Sequence, residues 1–115
     1  MRVTTDFWVS ALIRRVFSGG GFAAVLRKGA AEAGAVFVIL RDRLGQTRLF
    51  GPAPQTSYDE AKPQDRLLVE LDVQLSEEKA TARLERETRF DPDIWVVEIE
   101  ADAGRLEDLL PIETP

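Results

Sequence analysis

At 115 residues, with 44% apolar and 30% charged side chains, the chain has the size and composition of one domain that buries a core without staples. It has no cysteine and no histidine, which excludes disulfides, thiolate nucleophiles, the usual zinc and haem ligands, and every imidazole-based catalytic pair. The net charge of −5 hides a split: residues 1–50 hold eight Lys/Arg and three Asp/Glu, residues 51–115 seven and seventeen.

That split reads as two halves lying side by side and neutralising each other, within one chain or across a dimer. A basic half can face nucleic acid, but an acidic half of twice the magnitude repels phosphate over a Debye length of ~8–10 Å. No apolar stretch approaches the ~20 residues that span a bilayer. The N-terminal apolar run is preceded by Asp6 and broken by Arg14 and Arg15, so it is read as mature structure and not as a signal peptide.

In chain order, Thr5 or Asp6 caps a first helix. Trp8, Val9, Leu12, Ile13 and Val16 form its apolar stripe, opposite Ser10, Arg14 and Ser18. The glycines at 19–21 stop it. Three strand-like runs follow, at 22–28, 35–40 and 46–50. The middle one is apolar on both faces and therefore central. Short glycine-containing segments at 29–34 and 41–45 predict hairpins, hence an antiparallel meander of three consecutive strands. Residues 51–64, with three of the six prolines, read as a surface loop.

Residues 66–75 alternate strictly, with Leu67, Val69, Leu71, Val73 and Leu75 opposed to Glu70, Asp72 and Gln74. Ser76 caps a second helix with a thin stripe of Ala80, Leu84 and Phe90, suited to the rim of the core. Asp91 precedes a proline and should end that helix, with Asp-Pro-Asp turning the chain into a strand over 94–100. In that strand Trp95, Val97 and Ile99 alternate with Ile94, Val96, Glu98 and Glu100. The remainder frays, with Leu106, Leu109 and Leu110 able to pack as one more turn.

Few constellations carry chemistry. Asp91 and Asp93, with Asp59 and Glu60 of the long loop, would make a magnesium site if that loop folded back on the corner. A turn and an exposed acidic pair explain the same residues without a metal. Arg14 and Arg15, Arg27 and Lys28, and Arg41 and Arg43 could line up as a basic strip, but no aromatic residues interleave to stack on bases. Tyr58, the only tyrosine, suits either a contact or a loop anchor. The three glycines follow a helix and precede a strand, the reverse of the order that aims a helix N-terminus at phosphate.

The stretches DFWVSALIRR, GGFAAVLRKG, GAVFVIL, LFGPAPQTSYDE and RFDPDIWVVEIE together resemble a family of small alphaproteobacterial proteins catalogued as a domain of unknown function. The resemblance spans about residues 2–101. It implies a cytoplasmic bacterial protein with no assigned activity, cofactor or catalytic residue.

The expected fold is a single α+β domain over 1–101. It has a mostly antiparallel sheet of four to five strands, an N-terminal helix on one face, a second helix at its side before the last strand, and a partly ordered tail at 102–115. The expected function is a non-catalytic binding or adaptor domain acting through protein–protein contacts, with itself as one partner, and needing no cofactor. Arg14, Arg15, Tyr58, Asp59, Asp91 and Asp93 are its candidate surface. An enzyme or ligand-binding protein with an oxygen-liganded metal at the carboxylates, and a nucleic-acid binder through the basic half, are the alternatives.

Overall fold

The computed structural model describes residues 3–42, 44–54, 66–102 and 106–112, the side chains of 72–75, 106 and 107 aside. Helix α1 spans Thr5–Ser18, and its N-cap is Thr4, whose hydroxyl accepts the Phe7 N–H. Thr5, expected as a cap, is instead buried and donates its hydroxyl to the Gly34 carbonyl. At the other end Gly20 takes φ +88°, the Gly21 N–H reaches Val16 O and the Gly20 N–H reaches Phe17 O. These two bonds close the last turn in the Schellman pattern that a left-handed glycine permits.

Strands β1 (Phe22–Arg27), β2 (Val36–Arg41), β3 (Thr47–Pro52), β4 (Leu68–Leu75) and β5 (Trp95–Glu100) form one sheet in the order β1-β5-β2-β3-β4. Helix α2 covers Glu77–Phe90 and a short α3 covers Leu106–Leu109. The fold is α+β, with a mostly antiparallel sheet whose one parallel pair is β2 with β5. The meander expected of the first three strands is not formed. It runs instead through β2, β3 and β4, and the last strand inserts between β1 and β2.

The reason lies in residues 29–34, which do not close a hairpin but arch over the start of β5. The Ala30 N–H donates to Asp93 O, the Trp95 N–H donates to Ala35 O, and the Trp95 indole donates to Ala30 O. Local glycine chemistry permitted a hairpin. The stretch entering and forming β5 buries side chains on both faces, Trp95, Val97 and Ile99 on one and Ile94 and Val96 on the other, and an inner position between two strands satisfies both.

The two sheet faces build separate cores. Trp95, Val97 and Ile99 alternate onto one face with Val36, Val38, Leu40, Ala23 and Phe50, against Trp8, Val9, Leu12 and Val16 of α1. Leu68 and Leu110 complete this cluster. On the opposite face Phe37, Ile39, Leu49, Ile94 and Val96 meet Ala80 and Leu84 of α2. Helix α2 therefore covers the second face and does not lie at the sheet's side, while Phe90, expected in its stripe, points to solvent. In the alternating run before α2, it is Leu68 that is fully buried, and Leu67 only partly.

Ion pairs among the described residues join the basic half to the acidic half. Arg41 binds Glu77 through two nitrogens, at 2.5 and 2.9 Å, and also pairs with Glu98; Arg48 holds Glu70 in a fork at 2.7 and 2.8 Å while lying over the Phe50 ring. The Arg41 hydrogen bond keeps the Glu77 carboxyl below its ordinary value of 4.5, and Thr47 adds a weaker bond. A lowered carboxylate pKa stabilises the fold above the ordinary value and ceases to do so as pH falls through the lowered one. Acid should therefore loosen α2 from the sheet, and Glu77→Gln should flatten that dependence. Thermal melts of both proteins between neutral pH and pH ~3 check this. The effect should be modest, because the Glu77 side chain is half exposed.

Candidate functional site

Four places on the molecule gather polar or exposed groups. The first is the α2–β5 corner. Asp91 ends α2; its carboxylate accepts the Asp93 N–H at 3.0 Å, and its carbonyl accepts the Ile94 N–H at 3.4 Å across Pro92. Proline at the second position of such a turn fixes the bend. Arg27 of β1 donates to Pro92 O at 2.6 Å, and both aspartates are exposed. The Asp-Pro-Asp segment thus works as the hinge pin between helix and strand. Tyr58, Asp59 and Glu60, which would make a metal site if their loop folded back on the corner, lie outside the described residues, as does Arg43. Among the described residues, no group of three acidic side chains could hold a metal ion.

The second is the exposed end of α1. Arg14 and Arg15 line a groove with Ala11, Ser18, Asp108 and Leu109, and Arg15 donates to Leu109 O. The arginines that could have lined up as a basic strip are dispersed. Arg41 faces Glu77 and Glu98 on the α2 side, Arg27 is turned to the corner, and Arg14 and Arg15 sit against α3.

The third is a cavity of about 360 Å³ at the end of the sheet, where β2 and β5 finish in parallel beneath the α1 glycines. Gly21, Phe22, Arg41, Asp42, Glu100, Ala101 and Asp102 are among its walls. An ideal Cβ on Gly21 would stand 2.9 Å from Glu100 O, so glycine is what lets β1 start so close to β5. Asp42 spends one carboxylate oxygen on the Leu44 and Gln46 N–H groups.

The fourth is the outer edge of β1. The two borders of the sheet are treated differently. At β4, Leu68 receives a parallel bridge from Ile112, and its N–H donates to Pro111 O, so the C-terminal segment covers part of that edge. At β1, no described segment pairs with the side facing away from β5. Apolar side chains crowd that uncovered border: Phe17 is 52% exposed, Phe22 46%, Val25 40% and Leu26 55%. Phe17 and Phe22 meet edge to face at 5.8 Å. Val25 shares the α1 face with its partner Val97, Phe22 lies on the other face with its partner Glu100, and Leu26 sits in a bulge between Val25 and Arg27. An open strand edge that is apolar on both sides is a template for another strand.

Sequence reasoning missed this edge. It saw an apolar alternation at 22–28 and placed the strand outside 35–40 in a meander, but did not read its free side as a contact surface. The available signal was an apolar pattern on both faces of a strand less hydrophobic than the next run, at 35–40.

The family model described as a protein of unknown function, DUF1491, matches residues 3–107. The chain belongs to the DUF1491 family. Among solved structures, the solution structure of protein Atu0922 from A. tumefaciens is 47% identical over 100% of this chain and 98% of that chain, with a TM-score of 0.84. A DUF1491 family protein from Caulobacter crescentus CB15 is similar in its crystal structure, at 45% identity over 98% of this chain and 100% of that one, TM-score 0.78. The NMR structure of a DUF1491 family protein from Caulobacter crescentus CB15 gives 44% identity over 99% of each chain, TM-score 0.80. No curated protein matches the chain. The alphaproteobacterial resemblance read from the sequence is thus the family to which the DUF1491 model assigns it. No helix among the described residues is long and apolar enough to cross a membrane.

Proposed function

We propose that this DUF1491 protein is a non-catalytic interaction domain of the cytoplasm that takes an added strand of protein on the outer edge of β1. The uncovered edge flanked by Phe17, Phe22, Val25 and Leu26 carries this reading. Main-chain bonds along such an edge supply affinity, and side chains on alternate faces supply selectivity. The surface expected from sequence supports it less well: Asp91 and Asp93 are spent on a corner, and Arg15 on capping α3.

A photo-reactive amino acid placed at position 22 or 26 in living bacteria tests the proposal. It should give discrete protein adducts, whereas the same group at Thr81 or Arg86, exposed on α2, should not. Absence of adducts at 22 and 26, or equal yields from α2, would overturn it.

A further inference from the structure

We infer that the added strand is β1 of a second copy, paired antiparallel about a two-fold axis near Ala24 and Val25; this rests on reading β1 as the contact edge. The β1 border is polar along its length in charge as well as direction. Its first residue, Phe22, is the register partner of Glu100 and lines the strand-end cavity, whose walls include Asp42 and Glu100. The arginine in that cavity, Arg41, is already paired with Glu77 and Glu98, and Arg15 nearby donates to Leu109. The end is therefore acidic. The opposite end carries Lys28, which is exposed and begins the loop, beside Arg27, whose guanidinium is turned to the corner and donates to Pro92 O.

A two-fold axis makes an interface self-complementary, so each residue pair occurs twice. Antiparallel pairing of two β1 strands brings Arg27 and Lys28 of one copy alongside Gly21 and Phe22 of the other, next to its Glu100, and does so at both ends. At the axis stand Ala24 and Val25, so no like charges oppose one another across the strands. Phe22 and Leu26, exposed in a lone chain, come together across the junction. The sheet becomes one of ten strands, a doubling of the five in each copy. The bulge after Val25 restricts regular pairing to a few residues, which makes the dimer weak and reversible.

Sedimentation of the full chain over a range of concentrations tests this. The wild type should pass from monomer to dimer below about 1 mM. Lys28→Glu and Glu100→Lys should each weaken the dimer by about tenfold or more, since each sets like charges together twice. The double variant Lys28→Glu/Glu100→Lys should recover it, a rescue that loss of folding cannot mimic. A wild type that remains monomeric at about 1 mM, or a dimer that Lys28→Glu leaves intact, would overturn the inference. Should the adducts from position 26 then have the mass of a different protein, the occupant proposed here is wrong while β1 remains the contact edge.

Discussion

Trp95→Ala is expected to destabilise the fold by about 3 to 5 kcal/mol, the usual cost of removing a buried indole. Trp95 is 2% exposed, packs in the α1-side core, and donates its Nε1–H to Ala30 O at 2.8 Å. Its loss opens a cavity and also unties the loop at 29–34 from the start of β5. Trp95→Phe should cost less, because it keeps an aromatic ring and forfeits a hydrogen bond worth about 1 kcal/mol. Urea unfolding followed by circular dichroism measures both. A Trp95→Ala protein within about 1 kcal/mol of wild type would remove Trp95 from the core.

Gly29→Ala is the second large effect, and its cause is steric. A Cβ at position 29 would stand 2.1 Å from Asp93 O and 2.5 Å from Ile94 O, both backbone atoms at the entry to β5. Asp93 O is held by the Ala30 N–H, so it cannot retreat without breaking that bond. A cost of about 3 kcal/mol, the upper part of the range for overpacked sites, is expected. Gly45→Ala is the control. Gly45 has φ +83° and open space around it, so only left-handed strain of about 1 kcal/mol applies. Equal costs at the two positions would show that the 29–34 arch yields more readily than its contacts suggest.

What the sequence made legible followed from short-range periodicity. Trp95, Val97 and Ile99 share one face as their spacing demands, α1 buries Trp8, Val9, Leu12 and Val16, and Asp91 ends α2 ahead of its proline. The neutralisation of one half by the other was visible in the charge split and is realised by Arg41 with Glu77 and Glu98, and by Arg48 with Glu70. Strand order was not legible. Gly29 and Gly34 suit a hairpin as well as an arch, and only the insertion of β5 distinguishes them. The same gap hid the candidate site: whether Phe22, Val25 and Leu26 face a neighbour or water depends on which strand lies outside β1, a non-local fact. Thr5 shows a smaller version, since a hydroxyl that could cap α1 instead serves Gly34, 29 residues away.

Pairing of two chains through β1 is tested most directly by a dilution series of amide ¹H–¹⁵N spectra of the intact chain. Concentration-dependent shifts are expected, confined to Gly21–Lys28 and to Glu100, with α2 and the Asp91–Asp93 corner unmoved. Spectra that do not change with concentration, or changes centred on α2 or the corner, would contradict it.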